Sequence, residues 1–329
     1  MWFIKHRGTE TRRVQTEMRF PVSAPSNKPF DAVGFGLNAV DHLIVVPAYP
    51  AFDTKIRLLE HKQSAGGQTA TAMVALRRLG LKTAYAGRFG SDPEGQFGLK
   101  SLVDEGVNCD FAEVIENATN QIAFITIDAR SGERTIVWDR DDRLAYTPDE
   151  APAEFGPLGR VLHLDAHDPP ACVRVAKTAK ENGAIISADI DNVYAGLPEL
   201  LPFIDFMIGS KEFPRRVTGI ADERASLIEM HTRFGCAITG MTIGAEGALI
   251  YCDGQFIESP GFAAPGGCKD TTGAGDAFHG GFLYGFLTGE DLETSLKFGN
   301  AVAAMKCSAL GARTALPNKL QLKNFLKNP

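Results

Sequence analysis

Apolar residues along this chain fall into three rhythms. Short unbroken runs at 32–36, 161–165, 185–189, 205–210 and 236–242 end at glycine or polar residues, and they predict buried strands. Partial alternation at 53–59 predicts an exposed strand with one apolar face. A stronger strand at 121–127, a turn at 130–134 and a return at 135–138 predict a hairpin. Helical spacing governs the third set. Ala72, Ala75, Leu76 and Leu79 recur along one face and stop at Gly80. Residues 96–105 and 298–304 read as further helices, as does a segment with Ala277, Phe278, Phe282, Gly285 and Phe286 along one side. Strands and helices in alternation predict an α/β fold with a covered, mostly parallel sheet. The strand at 161–165 opens at His167 and Asp168, where such sheets bind ligands.

Composition narrows this picture. A chain of 329 residues holds one large α/β domain with a small appendage, or two domains. A formal net charge of -6 argues against a general nucleic-acid binder, and no apolar stretch is long enough to suggest a membrane span. The six cysteines lack the spacing of a short metal motif. With no secretory signal visible, they read as free thiols in a reducing, cytoplasmic setting. Residues 1–29 carry Arg7, Arg12, Arg13 and Arg19 without a sustained apolar run. They read as a flexible tail, with Met18 as an alternative start and an organelle-targeting peptide as the other option.

Candidate chemistry concentrates at 265–289. Asp270-Thr271-Thr272-Gly273-Ala274-Gly275-Asp276 leads small residues into a buried helix. The first turn of a helix presents unpaired N–H groups, and glycine and alanine leave them uncovered, which suits a phosphate. Asp276 then stands at the mouth of an anion cradle, placed to take a proton from a hydroxyl. The same pattern also serves plain close packing, with Asp276 as an ordinary first-turn residue. No Walker-type phosphate loop is present. His163, His167 and Asp168 offer a metal-triad reading, but they straddle a strand end without a further ligand cluster. Gly34 and Gly36 lack the rest of a dinucleotide-binding fingerprint.

The run from Asp270 to Phe278 resembles the C-terminal signature of the ribokinase-like (PfkB) family of sugar and nucleoside kinases. The resemblance extends from about Ala32 to the C-terminus and is nearest to the ketohexokinase and sulfofructose kinase branches. It implies a three-layer α/β/α sandwich over residues 30–329, with a small β-sheet lid drawn from about 43–62 and 120–140. The implied reaction transfers the γ-phosphoryl group of ATP, with Mg2+, to a sugar hydroxyl of a ketose or modified hexose. Asp276 is the implied base, and the N–H groups of Gly273, Ala274 and Gly275 stabilise the transferred charge. Asp41, Asp53, Gly67, Gln68, Thr71 and Asp165 fall at acceptor-binding positions. Thr71 departs from the family's asparagine, and Gln68 replaces the asparagine of ketohexokinases. Thr242, Gly244, Gly247, Thr271 and Asn300 fall at nucleotide positions. In the family's Asn-x-x-Glu element, linked to magnesium, Ser210 and Phe213 take the two places and Glu212 is the adjacent carboxylate. Asp189 and Asp191, just past a strand end, are further carboxylates for magnesium held through water. A homodimer through the lids is expected. A nucleoside kinase and a non-catalytic sugar or nucleotide sensor remain as alternatives.

Overall fold

Strand β1 (Phe30–Phe35) runs into β2 (Ala39–Val46), and β3 (Glu60–Gly66) leads directly to helix α1 (Gln68–Arg78). These bounds come from a computed structural model that describes residues 27–328, so most of the expected N-terminal tail, with Met18, lies outside the described residues. Next come β4 (Thr83–Ala86), β5 (Arg88–Gly90), α2 (Pro93–Asp104) and β6 (Glu113–Ile115). The hairpin of β7 (Ile122–Asp128) and β8 (Arg134–Asp139) follows. The middle of the chain holds β9 (Gly159–Leu164), α3 (Pro169–Glu181), β10 (Ile185–Ala188) and the short α4 (Leu197–Leu200). Beyond it lie β11 (Phe206–Ser210), α5 (Phe213–Thr218), α6 (Glu223–Phe234) and β12 (Ile238–Thr242). The chain closes with β13 (Gly247–Cys252), β14 (Gln255–Pro260), α7 (Ala274–Leu287), α8 (Leu292–Lys306) and α9 (Lys319–Lys327).

The main sheet has eight strands in the order β14-β13-β12-β11-β10-β9-β1-β4. The six from β12 to β4 are parallel, and β13 and β14 pair antiparallel at one edge. Both faces are covered, which is why strands such as Val161-Leu162-His163-Leu164 are buried without alternation. One face carries α1, α2, α7, α8 and α9 over a core that includes Leu76, Phe282 and Leu296. The other carries α3 to α6 over Val175, Phe213 and Met230. This is the α/β/α sandwich that the resemblance implies. Helix α7 is the buried helix expected, enclosed from Ala277 to Leu287 beyond the one side that its apolar spacing marks.

A second sheet, ordered β3-β2-β7-β8, stands outside the main one. The segment expected as a strand at 53–59 is instead a loop that opens with a turn at Asp53, joins β2 through the Leu59 N–H to the Val45 carbonyl at 2.7 Å, and gives way to β3 at Glu60. The pleat sorts this sheet into two faces. Asp41, Ala123, Ile125, Ile136 and Trp138 face a cleft over the main sheet. Phe124 and Val137, on alternate positions, are exposed on the far face. No described helix is long and apolar enough to cross a membrane.

Candidate active site

Between the two sheets lies a cleft of about 830 Å³, lined at the C-terminal ends of the parallel strands by His167, Asp189, Ser210 and Thr242. That edge is where open α/β sheets take ligands. Its floor is the loop into α7, and the loop is held from below. One oxygen of Asp270 accepts from the Thr272 N–H and the other from the Gly311 N–H, each at 2.8 Å. Lys306, wholly buried, donates to the Asp270 carbonyl at 2.7 Å.

Gly273 caps α7 at φ 77°, and an added Cβ would stand 2.7 Å from the Ala312 Cβ, so only glycine makes this turn. Ala274 gives its N–H to the Thr271 carbonyl at 3.1 Å, which withdraws it from the expected set of three donors. Gly273 and Gly275 keep N–H groups with no partner among the described residues. An added Cβ at Gly275 would point into open space, and the residue lines the cleft.

Asp276 is half-buried in the first turn of α7 and lines the same space. Burial pushes its carboxyl up to about 7; the Asp189 carboxylate adds to the shift and His279 opposes it. An acid tuned near neutrality suits a general base, because it is ionised at working pH and still basic enough to take a proton. Asp189 Oδ1 lies 3.4 Å from Nε2 of His279, and both side chains are buried. Burial alone would raise Asp189, yet the His279 imidazole holds it below the usual carboxylate range. Burial pushes the neighbouring His163 down to about 3, so it stays neutral.

At the lid end, Asp41, Gly67, Gln68 and Gln121 supply polar groups. Trp138, His167 and Tyr194 line this end too, with the His167 ring centroid 5.1 Å from Tyr194 and 6.1 Å from Trp138. Burial pushes the Asp41 carboxyl up to about 6, against the pull of Arg313. Arg134 reaches from β8 to donate to the Thr271 hydroxyl, tying the lid to the cradle loop. Thr242, Gly244 and Arg216 line the opposite end.

Six of the expected site residues do not line this cleft. Asp53 is exposed, at φ 59°, in the loop before β3. Thr71 is wholly buried in α1 and accepts from Arg313. Asp165 is buried: its Oδ2 accepts from the Leu37 N–H at 2.5 Å and the Thr69 hydroxyl at 2.8 Å, and its Oδ1 from the His167 N–H at 3.2 Å, so it ties the chain after β1 to α1 and to its own loop. Gly247 packs against the Ser259 carbonyl in the β13–β14 pairing. Asn300 spends its amide on the Ser259 carbonyl at 2.9 Å and hydroxyl at 3.0 Å. Glu212 is exposed at the start of α5, where Ser210 and Arg216 face the cleft instead. The metal-triad reading also fails locally. Arg140 takes Asp168 through two hydrogen bonds, and His163 faces Ser187.

Sequence reading missed His279 and Arg313. Helical spacing could have found His279, three residues after Asp276 on α7. No local signal marks Arg313, a lone charge in a run of small residues.

The model of the "pfkB family carbohydrate kinase" matches residues 32–319. A nucleoside kinase of Methanothermobacter thermautotrophicus is 27% identical, over 88% of this chain and 93% of that protein. A ribokinase of Haemophilus influenzae is also 27% identical, over 88% of this chain and 95% of its own length. Among solved structures, Arabidopsis thaliana ribokinase complexed with ribose and ATP superposes with a TM-score of 0.79 at 22% identity, over 91% of this chain and 99% of that one. With the family model spanning the whole of the sheet and the cradle, this chain belongs to the pfkB family of carbohydrate kinases, phosphotransferases with an alcohol group as acceptor.

Proposed function

We propose that the protein transfers the γ-phosphoryl group of ATP to a hydroxyl of a sugar, a ketose or modified hexose, with Asp276 as the base. The observation that carries this is the pairing of a carboxyl poised near pH 7 with the open N-terminus of α7. Asp276 takes the hydroxyl proton as the oxygen attacks phosphorus. The N–H groups of Gly273 and Gly275 hold the transferred phosphoryl in place, where donors fixed beforehand act most strongly. Asp41 accepts hydrogen bonds from acceptor hydroxyls, and Gln68 and Gln121 add an amide each. The lid sheet keeps out water, the competing acceptor.

Asp189 and Asp191 line the cleft and suit a magnesium ion, which one or two carboxylates hold together with water and nucleotide phosphates. Such an ion supplies neutralising charge to the phosphates.

A nucleoside acceptor is the second reading, favoured by the rings of Trp138, His167 and Tyr194, which offer stacking surfaces to a flat base. The outer face of the lid supports a homodimer. All six residues of β8 are exposed, Val137 is 66% and Phe124 is 45% exposed, and the two stand side by side.

The test is ATP-to-ADP turnover with magnesium over a panel of ketoses, aldoses, sugar acids, sulfonated sugars and nucleosides, repeated with Asp276→Asn. Turnover with one class, lost in the variant, supports the reading and names the acceptor. Full turnover in the variant sinks Asp276 as the base. Silence across the panel, with ATP still bound, favours the sensor.

A further inference from the structure

Thr71, where the resemblance expects an acceptor-binding asparagine, turns its hydroxyl away from the cleft to Nε of Arg313 at 3.2 Å. The same guanidinium donates through Nη1 to the Ser101 hydroxyl at 2.9 Å and through Nη2 to the Gly66 carbonyl. Arg313 is 6% exposed, so acceptors on α1, α2 and β3 satisfy a charge almost removed from water. Gly66 has a second neighbour. A Cβ built on it would stand 2.3 Å from Oδ2 of Asp41, so the Asp41 carboxylate rests directly on this glycine. Guanidinium and carboxylate therefore meet at one residue, at the junction where β3 hands the chain to α1.

We propose that Arg313 is a positioning residue for the acceptor carboxylate: it anchors the Gly66 backbone on which Asp41 rests and brings a buried positive charge to that junction. The proposal rests on the reading of Asp41 as the group that binds acceptor hydroxyls. An ionised carboxylate accepts from two hydroxyls of a diol, whereas a protonated one loses part of that capacity. Burial drives Asp41 toward the protonated form; Arg313 is its foremost opponent, Lys306 assists, and the Asp270 carboxylate works against them. Arg313 in turn faces Asp41, Tyr85, Asp276 and Glu105, from β2, β4, α7 and the end of α2. Burial draws the guanidinium down to about 10, which leaves it charged at neutral pH. The small threonine at 71 gives Nε an acceptor without filling the guanidinium's place.

The experiment is a carbon-13 NMR titration of the full chain labelled at its aspartate carboxyls, with the Asp41 signal assigned by its loss in Asp41→Asn. Wild type is compared with Arg313→Gln and Arg313→Lys. Arg313→Gln should raise the Asp41 midpoint by roughly one to two pH units, the usual effect of losing a close opposite charge. Arg313→Lys keeps the charge but cannot span three acceptors, so it should raise the midpoint by about half a unit. Should Arg313→Gln not fold, the lysine variant decides alone: a midpoint at or below wild type overturns the proposal. So does an unmoved midpoint in a folded Arg313→Gln. No acceptor is needed for this readout. A second arm measures KM for whichever of D-ribose and D-fructose is turned over, with Asp41→Asn. Moved midpoints with an unchanged KM would refute the role of Asp41 in the site and leave the charge coupling standing.

Discussion

Gly275 and Asp276 are neighbours in one helical turn, and their substitutions should separate chemistry from stability. Gly275→Ala adds a methyl into the cleft without meeting a neighbouring side chain. Alanine is the better helix former by up to about 1 kcal/mol, so the melting temperature should hold or rise. The methyl crowds the N–H it stands beside, and kcat/KM should fall toward the loss of one oxyanion donor, about 10²-fold. A variant that melts lower and works normally would show that Gly275 serves packing. Asp276→Asn should lower kcat by roughly 10²–10⁴-fold, the range for a removed general base. A carboxylate acting as base at this position works only when ionised, and burial pushes the Asp276 carboxyl up to about 7. Activity should therefore fall about tenfold from pH 8 to pH 6, read from the pH dependence of kcat/KM. A flat profile over that interval would remove Asp276 from the limb.

The second sheet puts its cleft-facing and outward-facing side chains on alternate residues. Ile136 and Trp138 line the cleft, while Val137 between them points outward with Phe124 at its side. Period-two alternation makes this separation possible within one strand. Val137→Glu should split the proposed dimer, seen as a halved mass by light scattering, because a charge buried against another lid lacks a partner. Neither its neighbours in the cleft nor the cradle changes, so a monomer that still turns over substrate is expected. An unaltered mass would place any dimer contact elsewhere. Arg134 starts the same strand and donates to Thr271, which joins lid position to the cradle loop. Arg134→Gln should lower kcat more than it lowers the melting temperature, since this side chain is exposed.

Across the whole molecule, the raised carboxyls of Asp41 and Asp276 tie stability to pH. Their folded values, about 6 and about 7, lie above the unfolded value of about 4. The folded state thus binds protons more tightly than the unfolded one between pH 4 and 7. The stability they contribute is full below about pH 4 and is lost as pH rises through 6 and 7. Asp276→Asn mimics the protonated acid. It should melt above wild type at pH 8 and by about a third of that margin at pH 5, measured by calorimetry at both values. An equal gap at the two pH values would mean that the carboxyl carries no such strain.

The parts of this protein that are local are legible in its residues alone. Unbroken apolar runs marked five of the six parallel strands, helical spacing marked α1 and α8, and one contiguous motif marked Gly273, Gly275 and Asp276 as candidates. Each signal lies within a few residues, and period and turn chemistry act over that range. Tertiary structure decided which candidate side chains reach the cleft. Asp165 is spent on Leu37, 128 residues away, and Asn300 on Ser259. Asp189 meets His279 from another element, and the two act in opposite directions on the Asp276 carboxyl. Thr71 meets Arg313 across 242 residues of chain. Residue type says what such a group can bond to, but only packing says which partner arrives, because the competing partners come from elements that no local pattern connects.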